Sequence, residues 1–152
     1  MIGSKMISYH TKATKNDIAT IPDVLAGLTD SYPDFEPWLY NKAIPSLSTK
    51  EGVIVIAKQR DEIVGLAMGK NSPTEKKIRC IRVLPRYQSD GVGTELIERM
   101  MKELDDDKPL VTVPHDMIHS YSRIFINHFR YALTWVEKGL YKENRLEYIF
   151  NG

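Results

Sequence analysis

The segment 88–94, "QSDGVGT", contains residues whose types and spacing could bind an anion. Gly91 and Gly93 stand one residue apart, where an apolar run ends at Pro85 and a long amphipathic run begins. A strand that turns through glycines into a helix exposes unpaired backbone N–H groups at the positive end of the helix dipole. Thr94 adds a hydroxyl in the first turn. The segment predicts a phosphate site, although packing alone can also produce short glycine motifs.

The elements around this segment follow from the periodicity of the apolar residues. An opening strand spans residues 5–13, and Asn16 or Asp17 can cap the helix that follows it. Short charged turns indicate two hairpins, and Pro109 ends the long helix. The remaining expected elements are a helix at 35–44, strands within 52–70, a strand at 75–85, the long helix, a strand at 110–114, a helix at 119–129 and two strands within 130–150.

The predicted order is β-α-α-β-β-β-α-β-α-β-β, which indicates an α/β (α+β) fold with a mixed, mostly antiparallel central sheet and flanking helices. One parallel crossover is expected, from the strand at 75–85 through the long helix to the strand at 110–114. In the first of these strands, alternation predicts Ile81 and Val83 on one face and Ile78 and Cys80 on the other. The length predicts one domain spanning residues 1–152.

The composition limits the classes of partner. The formal net charge is +1, with both signs interspersed, so no nucleic-acid partner is expected. No stretch is apolar and long enough to span a bilayer, so no membrane partner is expected. A single cysteine and the lack of a recognisable secretory leader favour the cytoplasm. The motif "HDMIH" is too weak to predict a metal site, so no metal is expected.

The run "VLPRYQSDGVGTEL" resembles the acetyl-CoA signature of the GNAT superfamily of N-acetyltransferases. In that signature, Q/R-x-x-G-x-G/A is preceded by V-x-P and followed by a leucine in the helix. The order of elements agrees over nearly the whole chain, and the hairpin "DEIVGLAMG" resembles the preceding strand of the family. The matching residues are Val83, Pro85, Tyr87, Gln88, Gly91, Gly93 and Leu96. A dinucleotide fingerprint would have a glycine at Leu96, and a P-loop would continue with G-K-S/T.

The resemblance implies that acetyl-CoA is the co-substrate and that backbone amides hold its pyrophosphate. The pantetheine arm would pair with a strand that splays from residues 110–114, and the exposed strand N–H groups could stabilise an oxyanion. The implied pyrophosphate amides belong to Gln88, Ser89, Asp90, Gly91, Val92, Gly93 and Thr94. The implied pantetheine contacts are Ile81, Arg82 and Val83.

The helix at 119–129 departs from the family pattern N-x-x-A-x-x-L-Y-x-x-x-G-F. Alignment places His119 at the asparagine, which implies a contact with the coenzyme, and Ile126 at the tyrosine that protonates the sulfur of CoA. Tyr121 or Tyr131 could replace that acid, although both could equally be packing residues. A thiol with a pKa near 8.5 leaves tolerably without help, so this departure need not abolish activity.

The other half of the reaction needs a base and an acceptor site. A lysine-like amine is mostly protonated at neutral pH, so a base or a chain of water molecules is needed to remove its proton. Glu75 lies where some members of the family carry a catalytic glutamate, but it could also be a solvated residue at a strand entrance. The segment 30–40 could receive a cationic amine on Tyr32, Phe35 and Trp38. Alternatively, those rings seal the helices onto the sheet.

The sequence therefore predicts an N-acetyltransferase in which a primary amine of a small molecule, peptide or protein attacks the thioester directly in a ternary complex. The alternative is a catalytically weak GNAT-like module that binds CoA or a protein partner, which the missing tyrosine favours. Acetylation of a charged tRNA is a further alternative, which the near-zero net charge of the protein disfavours. The final strands could pair two copies into a homodimer.

Overall fold

The computed structural model describes residues 6–26, 34–88 and 90–152, apart from the side chain of Asp116. Its strands are β1 Ile7–His10, β2 Gly52–Gln59, β3 Glu62–Asn71, β4 Lys76–Val83, β5 Leu110–Pro114, β6 Leu133–Lys138 and β7 Leu146–Phe150. Its α-helices are α1 Lys15–Val24, α2 Phe35–Trp38, α3 Ile44–Ser46, α4 Val92–Leu104 and α5 Ile118–Ser122. A π-helical stretch, Leu39–Ala43, joins α2 to α3, and another, Arg123–His128, continues α5.

The strands form one seven-stranded sheet in the order β1-β2-β3-β4-β5-β7-β6. Every neighbouring pair is antiparallel except β4 and β5, which run parallel. This confirms the predicted fold class and the single parallel crossover through α4. The parallel pairing is short, since it joins only Lys77 to Leu110 and Ile78 to Val111. Beyond these pairs the two strands have no register partners in each other, which leaves a gap in the sheet.

Two apolar clusters cover the two faces of the sheet. Helices α4 and α5 pack on one face, where Leu96, Ile97 and Met100 of α4 are fully buried and the apolar residues of α5 are partly buried. Helices α1 and α2 cover the other face, where Ile21 and Phe35 lie in the second cluster. The sheet is therefore covered on both faces, and the short β4–β5 junction lies between the two layers of helices.

Strand β4 contains a β-bulge at Arg79, because Met68 pairs with Cys80 while the adjacent Gly69 pairs with Ile78. The bulge shifts the alternation of side chains, so Ile78 lies in the same apolar cluster as Ile81 and Val83, and Cys80 faces the opposite cluster. The prediction that Ile78 and Cys80 share a face was wrong for this reason. An extra residue in one strand also bends it and re-aims its side chains.

Helix α1 begins with a capping box. Thr14 is the cap: its hydroxyl accepts from the N–H of Asp17, whose carboxylate accepts from the N–H of Thr14. The prediction that Asn16 or Asp17 caps this helix was therefore wrong, because the S/T-x-x-D reciprocal pair places Asp17 at the third helical position. The buried carboxylate of Asp17 also pairs with Lys58 of β2 at 2.8 Å, which ties α1 to the sheet.

Candidate active site

The glycine turn forms the N-terminus of α4. Gly91 is the cap residue with φ of 79°, a left-handed conformation that glycine adopts without strain. Its carbonyl accepts the first helical bond, from the N–H of Glu95 at 3.1 Å. No side chain of the described residues caps this helix, and among those residues the N–H groups of Val92, Gly93 and Thr94 have no hydrogen-bond acceptor. The 13-residue helix directs its dipole at the same point. This arrangement favours an anion.

Two side-chain hydrogen bonds hold the approach to this turn. The Gln88 amide donates from Nε2 to the carbonyl oxygen of Val83 at 3.0 Å, which ties the turn to the end of β4. The Tyr87 hydroxyl donates to Oε1 of Gln59 at 2.5 Å, which ties it to the β2–β3 hairpin. The sequence motif contains Tyr87 and Gln88 but carries no signal for Gln59, which lies 28 residues away.

The predicted pyrophosphate residues lie together around this N-terminus, apart from Ser89, which is outside the described residues. Asp90 and Gly91 are exposed, Gly93 and Thr94 are partly buried, and the side chain of Val92 is buried in the core. A Cβ added at Gly93 would have its nearest contact with Cγ2 of Val83 at 3.7 Å. The fold therefore has room for a methyl group at Gly93, in the space beside the free N–H groups.

The gap between β4 and β5 is a narrow cavity of about 30 Å³. Ile81, one of the predicted pantetheine contacts, lines it, while Arg82 and Val83 continue the same strand towards the glycine turn. The side chains of Ile81 and Val83 are buried, so only their backbone is available to a ligand. The other lining residues are Ile78, Arg79, Cys80, Val111, Thr112, Val113, Pro114, Met117, Tyr121 and Phe125.

Tyr121 lies in the wall of this gap, stacked on Phe125 with 5.5 Å between ring centroids. Burial raises the pKa of its hydroxyl to about 12, while the Arg82 guanidinium lowers it and Cys80 raises it by smaller amounts. The hydroxyl is therefore protonated at neutral pH. The Nε of Arg82 is buried and has no hydrogen-bond partner among the described residues. Tyr121 is thus a protonated donor at the gap.

The other candidate coenzyme-binding and acid residues of the segment 119–131 do not line the gap. His119 is exposed on α5 and does not line the gap. Ile126, aligned with the family tyrosine, is 40% exposed and also lies outside the gap. The π-helical stretch changes the periodicity of the helix, so that Phe125 is the buried residue there. Tyr131 is buried between Phe125 and Phe129 and is not a lining residue.

A larger cleft of about 310 Å³ lies beside the start of β4. It brings together three predicted residues from distant parts of the chain: Phe35 and Trp38 of α2, whose ring centroids lie 5.4 Å apart, and Glu75. Tyr32 lies outside the described residues. The remaining lining residues are Asp34, Lys77, Arg79, Thr112, Leu140 and Tyr141.

Glu75 is held at the entrance of β4 by its backbone. Its N–H donates to the Ser72 hydroxyl at 3.0 Å, and its carbonyl accepts from the N–H of Ser72 at the same distance. The carboxylate lies 3.6 Å from the ammonium of Lys70, and its side chain is 40% exposed. Glu75 thus lines the cleft with a partly exposed carboxylate, the kind of group that can act as a base or bind a cation.

Five lining residues of the cleft were not predicted. Arg79 lies over the ring of Trp38, with its guanidinium carbon 5.7 Å from the centroid. The Lys77 ammonium donates to the Tyr141 hydroxyl at 3.2 Å, across 64 residues of sequence. Thr112 comes from β5, and Leu140 from the β6–β7 turn. Strand alternation carries no signal for these contacts, because they depend on the bulge and on how the last hairpin folds back.

The cleft and the gap meet at Arg79 and Thr112, which line both. The two strands that separate at this point therefore supply a wall to each cavity. A group bound in the cleft and a chain threaded through the gap would come together here. The glycine turn lies past the other end of the splayed part of β4, beyond Val83.

Residues 18–116 match the sequence profile of the acetyltransferase (GNAT) family. The matched range is more than half of the chain and includes the glycine turn, Glu75 and the two strands that border the gap, β4 and β5. The chain belongs to this family. The resemblance seen in the sequence is therefore confirmed at the level of the family. No curated protein gives a match.

Solved GNAT structures share the fold at low sequence identity. A Desulfovibrio desulfuricans protein described as an acetyltransferase of the GNAT family superimposes with a TM-score of 0.75 at 16% identity, over 95% of this chain and 96% of that one. An aminoglycoside 6′-N-acetyltransferase complexed with coenzyme A gives a TM-score of 0.69 at 14% identity, over 95% and 94%. A Bacillus anthracis protein assigned as a streptothricin acetyltransferase, in complex with acetyl coenzyme A, gives 0.61 at 15% identity, over 72% and 67%.

Two further features bear on ligands. In the ranges 6–26, 34–88 and 90–152, no group of three or more His, Cys, Asp or Glu side chains is placed to hold a metal ion. Within the same ranges, no helix has the length and apolar character needed to cross a bilayer.

Proposed function

We propose that this GNAT protein transfers the acetyl group of acetyl-CoA to a primary amine. The observation that carries the proposal is that the cleft and the gap share Arg79 and Thr112 as lining residues. The N-terminus of α4, which has no side-chain cap, follows the end of β4. An amine in the cleft reaches a thioester in the gap without a covalent intermediate on the protein. Acetyl-CoA supplies the activated acyl group and the thiol leaving group.

The residues present fit the coenzyme. The free N–H groups of Val92, Gly93 and Thr94 suit the pyrophosphate, with Gln88, Asp90 and Gly91 shaping the turn. The unpaired edge of β4 past Ile78 suits an extended, amide-bearing arm, because strand N–H and C=O groups there lack a partner in β5. The exposed His119 would contact the coenzyme only outside the gap.

Cys80 lines the gap but does not suit an acyl-enzyme route. Burial raises the pKa of its thiol to about 12, more than the backbone of Met68 and the charge of Arg79 lower it. A thiol that is protonated at neutral pH is a poor nucleophile. Direct attack by the amine, with Glu75 accepting its proton, is the step that the arrangement supports.

The test is an assay of thiol release from acetyl-CoA across a panel of small amines, polyamines and peptides. We expect at least one amine to accelerate release above the hydrolytic background, with the acetylated amine identified by mass spectrometry. Saturable CoA binding with no acceptor in the panel would instead favour the non-catalytic binding module. Absence of CoA binding would contradict both.

Tyr121 is proposed as the group that protonates the departing sulfur. Replacing Tyr121 with phenylalanine keeps the stacking on Phe125 and removes the proton, so the rate of thiol release should fall roughly tenfold, a small effect for an acid because a thiolate leaves readily. The raised pKa adds a second expectation: ionisation of Tyr121 should not lower the wild-type rate at about pH 10, where an ordinary tyrosine is half ionised.

The control for this variant is Tyr131→Phe, which removes a buried hydroxyl in the neighbouring aromatic cluster but outside the gap. Rate measurements in the presence of saturating amine separate the two. Equal rates for wild type and Tyr121→Phe would show that the sulfur leaves without this acid.

A further inference from the structure

Two cations, Lys77 and Arg79, line the acceptor cleft with no carboxylate partner among the described residues. Lys77 and Arg79 are both partly buried. Ion pairs of the described residues join Lys58 to Asp17, Lys70 to Glu75, and Arg99 to Glu95, and neither Lys77 nor Arg79 takes part in these pairs. Two carboxylates share the cleft: Glu75 is paired with Lys70, and Asp34 forms no ion pair with Lys77 or Arg79. A cleft built only to receive a cationic amine would gain nothing from two such charges, because like charges repel.

Both cations are held in place by aromatic side chains. Arg79 is the bulged residue of β4, and its guanidinium lies over the ring of Trp38. Stacking fixes the plane of a guanidinium and leaves its N–H edge available for a planar oxyanion. Lys77 donates one of its three N–H groups to Tyr141 and keeps the others. The two side chains line one cavity, so a ligand there would meet the bidentate N–H edge of a guanidinium and the compact charge of an ammonium group.

We propose that the acceptor amine carries an anionic group, a carboxylate or a phosphate, which binds between Lys77 and Arg79. A partly buried cation that lacks a carboxylate is stabilised when a ligand supplies the opposite charge. Arg79 also lines the gap, so the anion lies close to the reacting centre. The amine and the anion of the acceptor are therefore separated by only a few bonds, as in an amino acid or an aminoalkyl phosphate.

The coenzyme does not account for these charges. Its phosphate site is the N-terminus of α4, which follows Val83 at the opposite end of the splayed segment of β4. Lys77 lies in the part of β4 that is still paired with β5, before the gap opens. The proposal names the acceptor class and rests on the function proposed above.

The test uses amines in matched pairs on the whole protein: glycine with glycinamide for the carboxylate, and phosphoethanolamine with ethanolamine for the phosphate. Thiol release is measured at fixed pH, and kcat/KM is calculated from the concentration of the amine in its unprotonated form. We expect kcat/KM to be at least tenfold higher for the anionic member of one pair, and the pair that shows it distinguishes carboxylate from phosphate. Equal or higher values for both members that lack the anionic group would overturn the proposal.

Substitutions of Lys77 and Arg79 test whether these two cations cause the preference for an anionic amine. Arg79→Gln and Lys77→Gln should each raise KM for the preferred anionic amine by about tenfold to a hundredfold, the usual loss for a charge-assisted hydrogen bond. The affinity of Lys77→Gln for acetyl-CoA, measured by calorimetry, should not change, because Lys77 does not line the gap. The control Lys12→Gln removes an exposed cation from the loop after β1 and should leave every value unchanged. A preference that survives both cleft variants would also overturn the proposal.

These outcomes separate the two proposals. If amines that lack the anionic group are acetylated as well as their counterparts that carry it, the acetyltransferase function stands and only the acceptor class fails. If no amine accelerates thiol release, the proposed function fails and the acceptor class fails with it.

Discussion

Replacing Gly93 with glutamate is expected to lower the affinity for acetyl-CoA by at least a hundredfold while the fold survives. The new carboxylate would lie beside the N–H groups of Val92, Gly93 and Thr94, where it repels the pyrophosphate and competes for its donors. Losing two charge-assisted hydrogen bonds alone accounts for a change of about this size. The backbone tolerates a Cβ at this position, since its nearest contact is Val83 at 3.7 Å.

Calorimetric titration with acetyl-CoA measures the effect, and thermal unfolding checks the fold. Ala19→Glu is the matched control, because it adds the same charge on an exposed position of α1, on the opposite face of the sheet. Gly93→Ala adds only the methyl group and should show a smaller loss. Unchanged affinity in folded Gly93→Glu would remove the coenzyme from this site.

Replacing Glu75 with glutamine should lower kcat/KM at neutral pH by about a hundredfold or more, the usual size of a general base contribution. The amide keeps the shape of the side chain but cannot accept the amine proton. The loss should shrink as the pH rises, because more of the amine then arrives neutral. Affinity for acetyl-CoA should not change, since Glu75 lies in the cleft and not at the α4 N-terminus.

The ion pair with Lys70 supplies a further arm of this experiment. Lys70→Gln removes the partner at 3.6 Å but leaves the carboxylate, so a base should keep most of its activity, whereas a purely structural ion pair should lose as much as Glu75→Gln does. Glu98→Gln, exposed on α4, controls for the loss of one negative charge. If the chemical step limits turnover and Glu75→Gln reacts at the wild-type rate, Glu75 is not the base. Asp34 or a bound water would then be the candidate base.

Much of the fold could be predicted from local sequence, and the structure confirms it. The strand, the turn with Gly91 and Gly93, and the amphipathic helix α4 are contiguous, so their order and spacing already specify an uncapped helix N-terminus after a strand. The family follows from the same stretch for the same reason. The assignment of individual site residues remains a prediction, since geometry places them together without a ligand.

Only the tertiary structure decided the acceptor side. The sequence contains Glu75, Phe35 and Trp38 as separate candidates, but their meeting with Thr112 and the β6–β7 turn depends on the packing of distant elements. The bulge at Arg79 is invisible to an alternating pattern, because the extra residue is defined by its partner strand.

The π-helical stretch after α5 has the same origin. The sequence specified an amphipathic run there, but packing in the core decided that Phe125 is buried and that Ile126 is exposed. Local propensities therefore determined the elements and the coenzyme turn. The register of strand pairing and the contacts between layers determined which side chains share the cleft, because those contacts join residues that no short window of sequence contains.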